Sequence, residues 1–227
     1  MPPTYEILFA DDYIDYVGQP IGLVVASSVE QAKSAVKMID IKYKEIKQPI
    51  LTVQDAIRAN SFFPSPPDFI YGNADEAIAN SPNKVSGNLS LGAQFHFHLE
   101  NHVAIASPTE DGIEITASTQ YLDLVQKVVS LALGIKSSRI NVRIKQLGGA
   151  YGGEIRFLKN IFIPKWIFEY SEFKGKITRS NITAVAAAIA TNALNKKVKV
   201  ALDLNTGLEM IGKRYIYIIR KILRNFR

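Results

Sequence analysis

The sequence predicts an α+β fold, and three observations carry that prediction. A strand–helix–strand rhythm opens the chain, a proline- and glycine-rich connection runs from residue 60 to 87, and strands then alternate with helices. With 227 residues, 47% of them apolar and 21% charged, the chain is long enough for one large domain or two modest ones, with a core to bury.

Ile21-Gly22-Leu23-Val24-Val25-Ala26 reads as a buried strand after the turn-rich Asp15 to Pro20. Ser27 or Ser28 then caps a helix in which Val29, Ala32, Ala35, Val36 and Ile39 recur at helical spacing. Ile39 to Tyr43 alternates like a half-buried strand, and Leu51 to Ile57 reads as a linker entering one helical turn. Inside the 60–87 connection, where a domain boundary is expected, Gly72 to Ile78 reads as a short helix. Val103–Ala106 and Gly112–Ala117 form a predicted hairpin, Tyr121 to Leu133 a helix stopped by Gly134, and Ile140 to Ile144 the next strand. Residues 154–175 are crowded with aromatics and keep no period. A helix from Ile182 to Leu194, capped by Ser180 or Asn181, and a strand from Val198 to Leu202 follow.

Charge and composition exclude several classes. The net charge of +6 is matched by six Lys and Arg residues in 213–227, a stretch without acids, so the basicity belongs to one appended segment. A nucleic-acid domain carries its basic residues as a patch on a folded face, so no nucleic-acid partner is expected. The absence of cysteine excludes disulfides and cysteine-held iron–sulfur clusters. No signal peptide or membrane-spanning run is visible, which makes a soluble cytoplasmic chain without a membrane partner the default.

The chemistry-bearing residues are few. Gly148-Gly149-Ala150-Tyr151-Gly152-Gly153 follows a strand, permits close backbone approach to a ligand, and exposes N–H groups that suit anions; it equally suits a plain turn. It is not a dinucleotide fingerprint, since no G-x-G-x-x-G runs into a helix. In a strand, His96, His98 and Glu100 would share one face, as metal ligands or in the commoner hydrogen-bonding role. Gln94 and Gln120 donate and accept at once. Asp11, Asp12, Asp15, Glu30 and Glu45 read as solvated carboxylates, and no general base stands out.

Taken together, the segments carry more. Tyr16 to Ala26 resembles part of the a/b hammerhead domain of the molybdenum hydroxylases, the aldehyde oxidase and xanthine dehydrogenase family, and Gln48 to Ile57 looks like that domain's exit. Gly92 to Glu100 resembles the family's G-G-Q-x-H-F-Y-L-E, Ser118-Thr119-Gln120 its S-T-Q, and Leu147 to Gly153 its L-G-G-x-F-G-G. The resemblance implies a partial hammerhead unit over 1–58, then a truncated mixed α/β molybdopterin-binding domain over 59–214, with a non-family tail at 215–227.

It also implies roles. Gln94 would hydrogen-bond an oxo ligand of a molybdenum–molybdopterin cofactor, while Tyr151 and the Gly152 backbone would lie over it from the other side. The family hydroxylates aldehydes or N-heterocycles with water as oxygen source, passes electrons through 2Fe-2S clusters to FAD on domains absent here, and is usually homodimeric. In xanthine dehydrogenases a glutamate follows the lysine of G-G-K; here Lys176 is followed by Ile177, and losing such a partner to a buried polar substrate costs about 2–3 kcal/mol. The substrate pocket therefore resembles the aldehyde oxidase branch.

The departures are specific. The catalytic glutamate and redox domains of the family are missing, so no catalytic residue is assigned and the chain alone is expected to be inactive. Twenty-two residues, 154–175, separate Gly153 from Lys176, which the family pattern joins directly. Gly152-Gly153-Glu154 is encodable with a GTGAG donor-like sequence and Phe173 to Lys176 with an AG acceptor in frame, so we expect a translated intron; the alternative is an insertion forming a lid. A non-catalytic binding module derived from the family, and purine oxidation by a longer protein, are the other functional readings.

Overall fold

The hairpin predicted around Pro108 to Gly112 forms, and its strands are the inner pair of a four-stranded sheet. A computed structural model describes residues 8–14, 18–44, 46, 48–62, 72–85, 87, 89–92, 95, 97–149, 179–211 and 217–219. The chain divides into two units, Met1–Ile39 with Phe95–Lys213, and Asp40–Gln94 with Arg214–Arg227. In chain order the elements are α1 (Val29–Val36), α2 (Val53–Arg58), α3 (Ala74–Asn80), β1 (Leu89–Leu91), β2 (Val103–Pro108), β3 (Ile113–Ala117), α4 (Leu122–Leu133), β4 (Ile140–Arg143), α5 (Ser180–Leu194), β5 (Val198–Ala201), α6 (Leu204–Ile211) and β6 (Tyr217–Ile219). This is the mixed α+β architecture expected from the sequence. No helix among the described residues is long and apolar enough to cross a membrane.

In the first unit a four-stranded sheet runs in the order β4-β3-β2-β5. β2 pairs antiparallel with β3 and β5, while β4 lies parallel to β3 and is reached through α4. Alternation puts Ala104, Ala106, Ile113, Ile115, Ala117 and Ile140 on one buried face, against Val125 and Val129 of α4 and Ala184, Val185, Ala187 and Ala188 of α5. Eleven residues of α5, from Ser180 to Thr191, are buried, as a helix apolar nearly all round must be. Its alanines face the strand alanines, so helix and sheet approach closely, and Thr191 donates to the Ala106 carbonyl at 3.1 Å. The opposite face is polar at its edge, where Arg143 meets Glu114 at 2.9 Å.

Several boundaries follow local chemistry as expected. Ser28, of the two candidate serines, caps α1 by accepting from Gln31 N–H at 3.2 Å. Gly134 ends α4 in the left-handed region at φ 66°, which a Cβ would oppose. The segment at 72–78 becomes α3, shifted to Ala74–Asn80 and capped by Asn73.

Other expectations fail. Residues 21–26 and 39–43 form no strand, and Ile21, Leu23, Val25, Ile41 and Tyr43 are exposed. Alternation supplies a face, but a strand exists only through ladder partners, and none of the described strands pairs with these. Neither Ser180 nor Asn181 caps α5: the helix begins at Ser180 behind a helical Arg179, because the Ser180 hydroxyl is turned to Thr119 instead. The helix α6 and strands β1 and β6 were not expected. In the second unit β1 and β6 pair antiparallel, Leu89 opposite Ile219, which gives part of the 215–227 tail a place in a sheet. The 154–175 segment lies outside the described residues.

Candidate functional site

Two stretches with no regular structure, 97–102 and 147–149, meet at the end of the sheet. The N–H of Gly148 donates to Glu100 Oε2 at 2.7 Å. His98 Nδ1 bonds the Gly149 carbonyl, and since a carbonyl only accepts, Nδ1 carries the proton. Gly149 sits at φ 67°, in the left-handed region that favours glycine, and a Cβ on Gly148 would lie 3.4 Å from Glu100 Cβ, an ordinary contact distance.

Of the expected strand through His96, His98 and Glu100, the described residues 97–100 form none. Phe97 lies at φ 51°, outside extended geometry, and the segment is pinned by side chains rather than by a ladder. His98 and Glu100 act as hydrogen-bonding groups. Among the described residues no group of three or more His, Cys, Asp or Glu is placed to hold a metal ion.

Further bonds tie in two more segments. Ser118 Oγ accepts from Val103 N–H at 2.9 Å and donates to the Asn101 carbonyl at 3.2 Å. Ser180 donates to Thr119 Oγ1 at 3.0 Å, which joins the loop after β3 to the start of α5. Four stretches far apart in sequence, 97–102, 118–120, 147–149 and 179–181, thus share one hydrogen-bonded region.

Small voids mark its edges. A cavity of about 10 Å³, room for about one water, lies between His98, Glu100, Asn101, His102 and the first turns of α6. The buried rings of His98 and His102 stand edge to face, 6.1 Å between centroids. A wider cavity of about 110 Å³ opens beside Glu100, Val103, Ile105, Thr116, Ser118 and Lys145. Below the first cavity Asp203 caps α6: the Thr206 N–H, 2.9 Å away, and then the Thr206 side chain hold its carboxyl below the usual value.

Gln94, Tyr151, Gly152 and Ile177, the residues assigned from the sequence, lie outside the described residues, as does His96. What the structure shows is their immediate neighbours. The Gly148 N–H and the Gly149 carbonyl are bonded to Glu100 and His98, so this glycine pair is held in place by side chains. Sequence reasoning singled out the His98 and Glu100 segment but missed their partners. It also missed Thr119 and Ser180 as a pair.

Comparison with known proteins gives a consistent pattern. The family described as molybdopterin cofactor-binding domain matches residues 54–163, and the aldehyde oxidase and xanthine dehydrogenase a/b hammerhead domain matches residues 1–47. A xanthine dehydrogenase/oxidase of Gallus gallus is 33% identical over 95% of this chain and 14% of its own length. A putative aldehyde oxidase-like protein of Oryza sativa subsp. japonica is 31% identical over 92% of this chain and 14% of its own. The chain thus spans about a seventh of these relatives. Among solved structures, quinoline 2-oxidoreductase from Pseudomonas putida 86 superposes with a TM-score of 0.63 at 20% identity, over 90% of this chain and 24% of that one. Aldehyde oxidoreductase from Desulfovibrio gigas superposes with a TM-score of 0.56 at 17% identity, over 84% and 19%. These two likenesses concern the fold.

Proposed function

Because this chain belongs to the aldehyde oxidase and xanthine dehydrogenase family of molybdenum hydroxylases, we propose that it supplies one wall of a molybdopterin pocket. In this reading residues 1–58 are hammerhead sequence and 59–214 the start of the cofactor-binding domain. The observation behind this reading is the convergence of 97–102, 118–120, 147–149 and 179–181 through hydrogen bonds, since Gln94, Tyr151 and Gly152 lie within a few residues of these stretches in sequence.

Gln94 would offer an amide donor to an oxo ligand, and Tyr151 with the Gly152 backbone would face the cofactor from the other side. When bound, the cofactor supplies the redox chemistry for inserting water-derived oxygen into an aldehyde or N-heterocycle. This chain's part is to orient the cofactor and shape the approach of substrate. Ile177 offers the substrate no hydrogen bond, which favours an aldehyde-type substrate over a purine. FAD, 2Fe-2S clusters, a homodimeric partner and a cytoplasmic setting belong to the longer protein this reading implies, since a chain without cysteine has no thiolates for such clusters.

The test is molybdenum and pterin content of the chain purified from a host that makes the cofactor. Detectable, roughly equal amounts of both, lowered by Gln94→Ala, are expected; a chain free of both sinks the reading. Sequencing the messenger across Ala150 to Asn181 decides the status of 154–175: a transcript joining Gly153 to Lys176 identifies a retained intron.

A further inference from the structure

We propose that His98 and Glu100 are positioning residues for the glycine loop, and that Glu100 keeps anionic groups off its first N–H. The idea deepens the molybdopterin-pocket reading and rests on it for its purpose. Glu100 Oε2 holds Gly148 N–H at 2.7 Å, and His98 Nδ1 holds the Gly149 carbonyl, so two alternate side chains grip the two ends of one dipeptide. Glycine has the widest backbone freedom of any residue, and a loop of glycines left alone would sample many shapes. With both ends gripped, Gly149 is kept in its left-handed conformation at φ 67°. His98 is itself buried, so it is a firm anchor rather than a surface contact.

The charge matters as much as the grip. Backbone N–H groups in glycine turns attract anions, and the first of them here is already taken by a carboxylate. A phosphate or oxo group at that same N–H would stand beside a like charge, with its hydrogen bond already claimed. Glu100 therefore closes that N–H to anionic groups. His98 grips the dipeptide; Glu100 grips it and adds the charge.

The test uses amide resonances of the 227-residue chain. In Glu100→Ala the Gly148 amide should exchange at least about tenfold faster, the size expected for one lost charge-assisted bond; Glu100→Gln, whose amide oxygen still accepts, should stay within about threefold of the parent. His98→Asn, which retains a donor, should preserve the Gly149 signal that His98→Leu disturbs. Unchanged exchange in Glu100→Ala overturns the proposal, and so does acceleration shared equally by the amides of β3.

Inorganic phosphate is the second probe. Titrated into the parent chain it should leave the Gly148 amide resonance in place, and in Glu100→Ala, where the N–H is released, it should move it. A shift in the parent, or none in Glu100→Ala, overturns the claim that Glu100 holds this N–H against anions. Neither readout needs molybdopterin, so a chain that binds no cofactor yet shows these patterns defeats the earlier reading alone.

Discussion

The Ser180 hydroxyl donates to Thr119 Oγ1 at 3.0 Å, with both residues buried, and Thr119 Oγ1 also accepts the Tyr121 N–H at 3.1 Å. One threonine oxygen thus fastens the loop after β3 to the start of α4 and the first turn of α5. Thr119→Val should cost about 2 kcal/mol and Ser180→Ala about 1 kcal/mol, because the first strands two donors and the second leaves one acceptor partly served. Urea unfolding of both variants and the double variant should show coupling of at least about 0.5 kcal/mol; strict additivity would contradict the shared bond.

Asp203 gives a pH dependence with a definite sign. Its carboxyl is held below the ordinary value by the Thr206 N–H and then the Thr206 side chain. A lowered folded value stabilises the chain above the unfolded pKa, about 3.9, and that contribution disappears as pH falls through the folded value. Asp203→Ala should cost about 1 kcal/mol at pH 7, the size of a lost helix cap, and the difference from the parent should shrink below about pH 4. A difference constant from pH 7 to pH 2.5 would show that the ionised carboxylate is not what matters.

Gln126 links α4 to the strand that follows it. Its Nε2 donates to the Ile140 carbonyl at 2.8 Å and the Ser137 carbonyl at 3.0 Å. Gln126→Met keeps the side-chain length and removes both donors, and should cost about 1–2 kcal/mol in thermal or denaturant unfolding. A neutral result would mean that water replaces both bonds freely.

Gly112 is tightly confined. A Cβ there would run into the Arg139 carbonyl, which is backbone and has nowhere to yield without moving β4. Gly112→Ala should lose about 2 kcal/mol, the cost typical of overpacking, and should disturb the β3–β4 register in amide spectra. Parent-like stability would show that this approach relaxes easily.

The elements legible in the sequence are those whose signals are local. Helix α4 announces itself by its apolar spacing and by Gly134 at its end, and the β2–β3 hairpin by alternation on either side of a turn. The strand read at 21–26 has the right residues but no partner among the described ones, and a ladder is not a local property. α6 escaped notice because Gly207 interrupts its pattern, although Asp203 stands in place as a cap. The site shows the same division. Its residue types were visible, but the bonds from His98 and Glu100 to the glycine pair join positions 51 and 48 apart, where no short-range period reaches. Phe97 at positive φ also broke the alternation that the letters alone suggested.

The pairing of β1 with β6 sets an order of events on the ribosome. Leu89 and Ile219 are about 130 residues apart, so β1 emerges and waits while the intervening chain is made. Closing so long a loop costs only modestly more entropy than closing a short one, but it delays the contact. During that interval the edge of β1 is open to strands from other nascent chains, and residues 217–219, made about 130 residues later, are the ones that cover it.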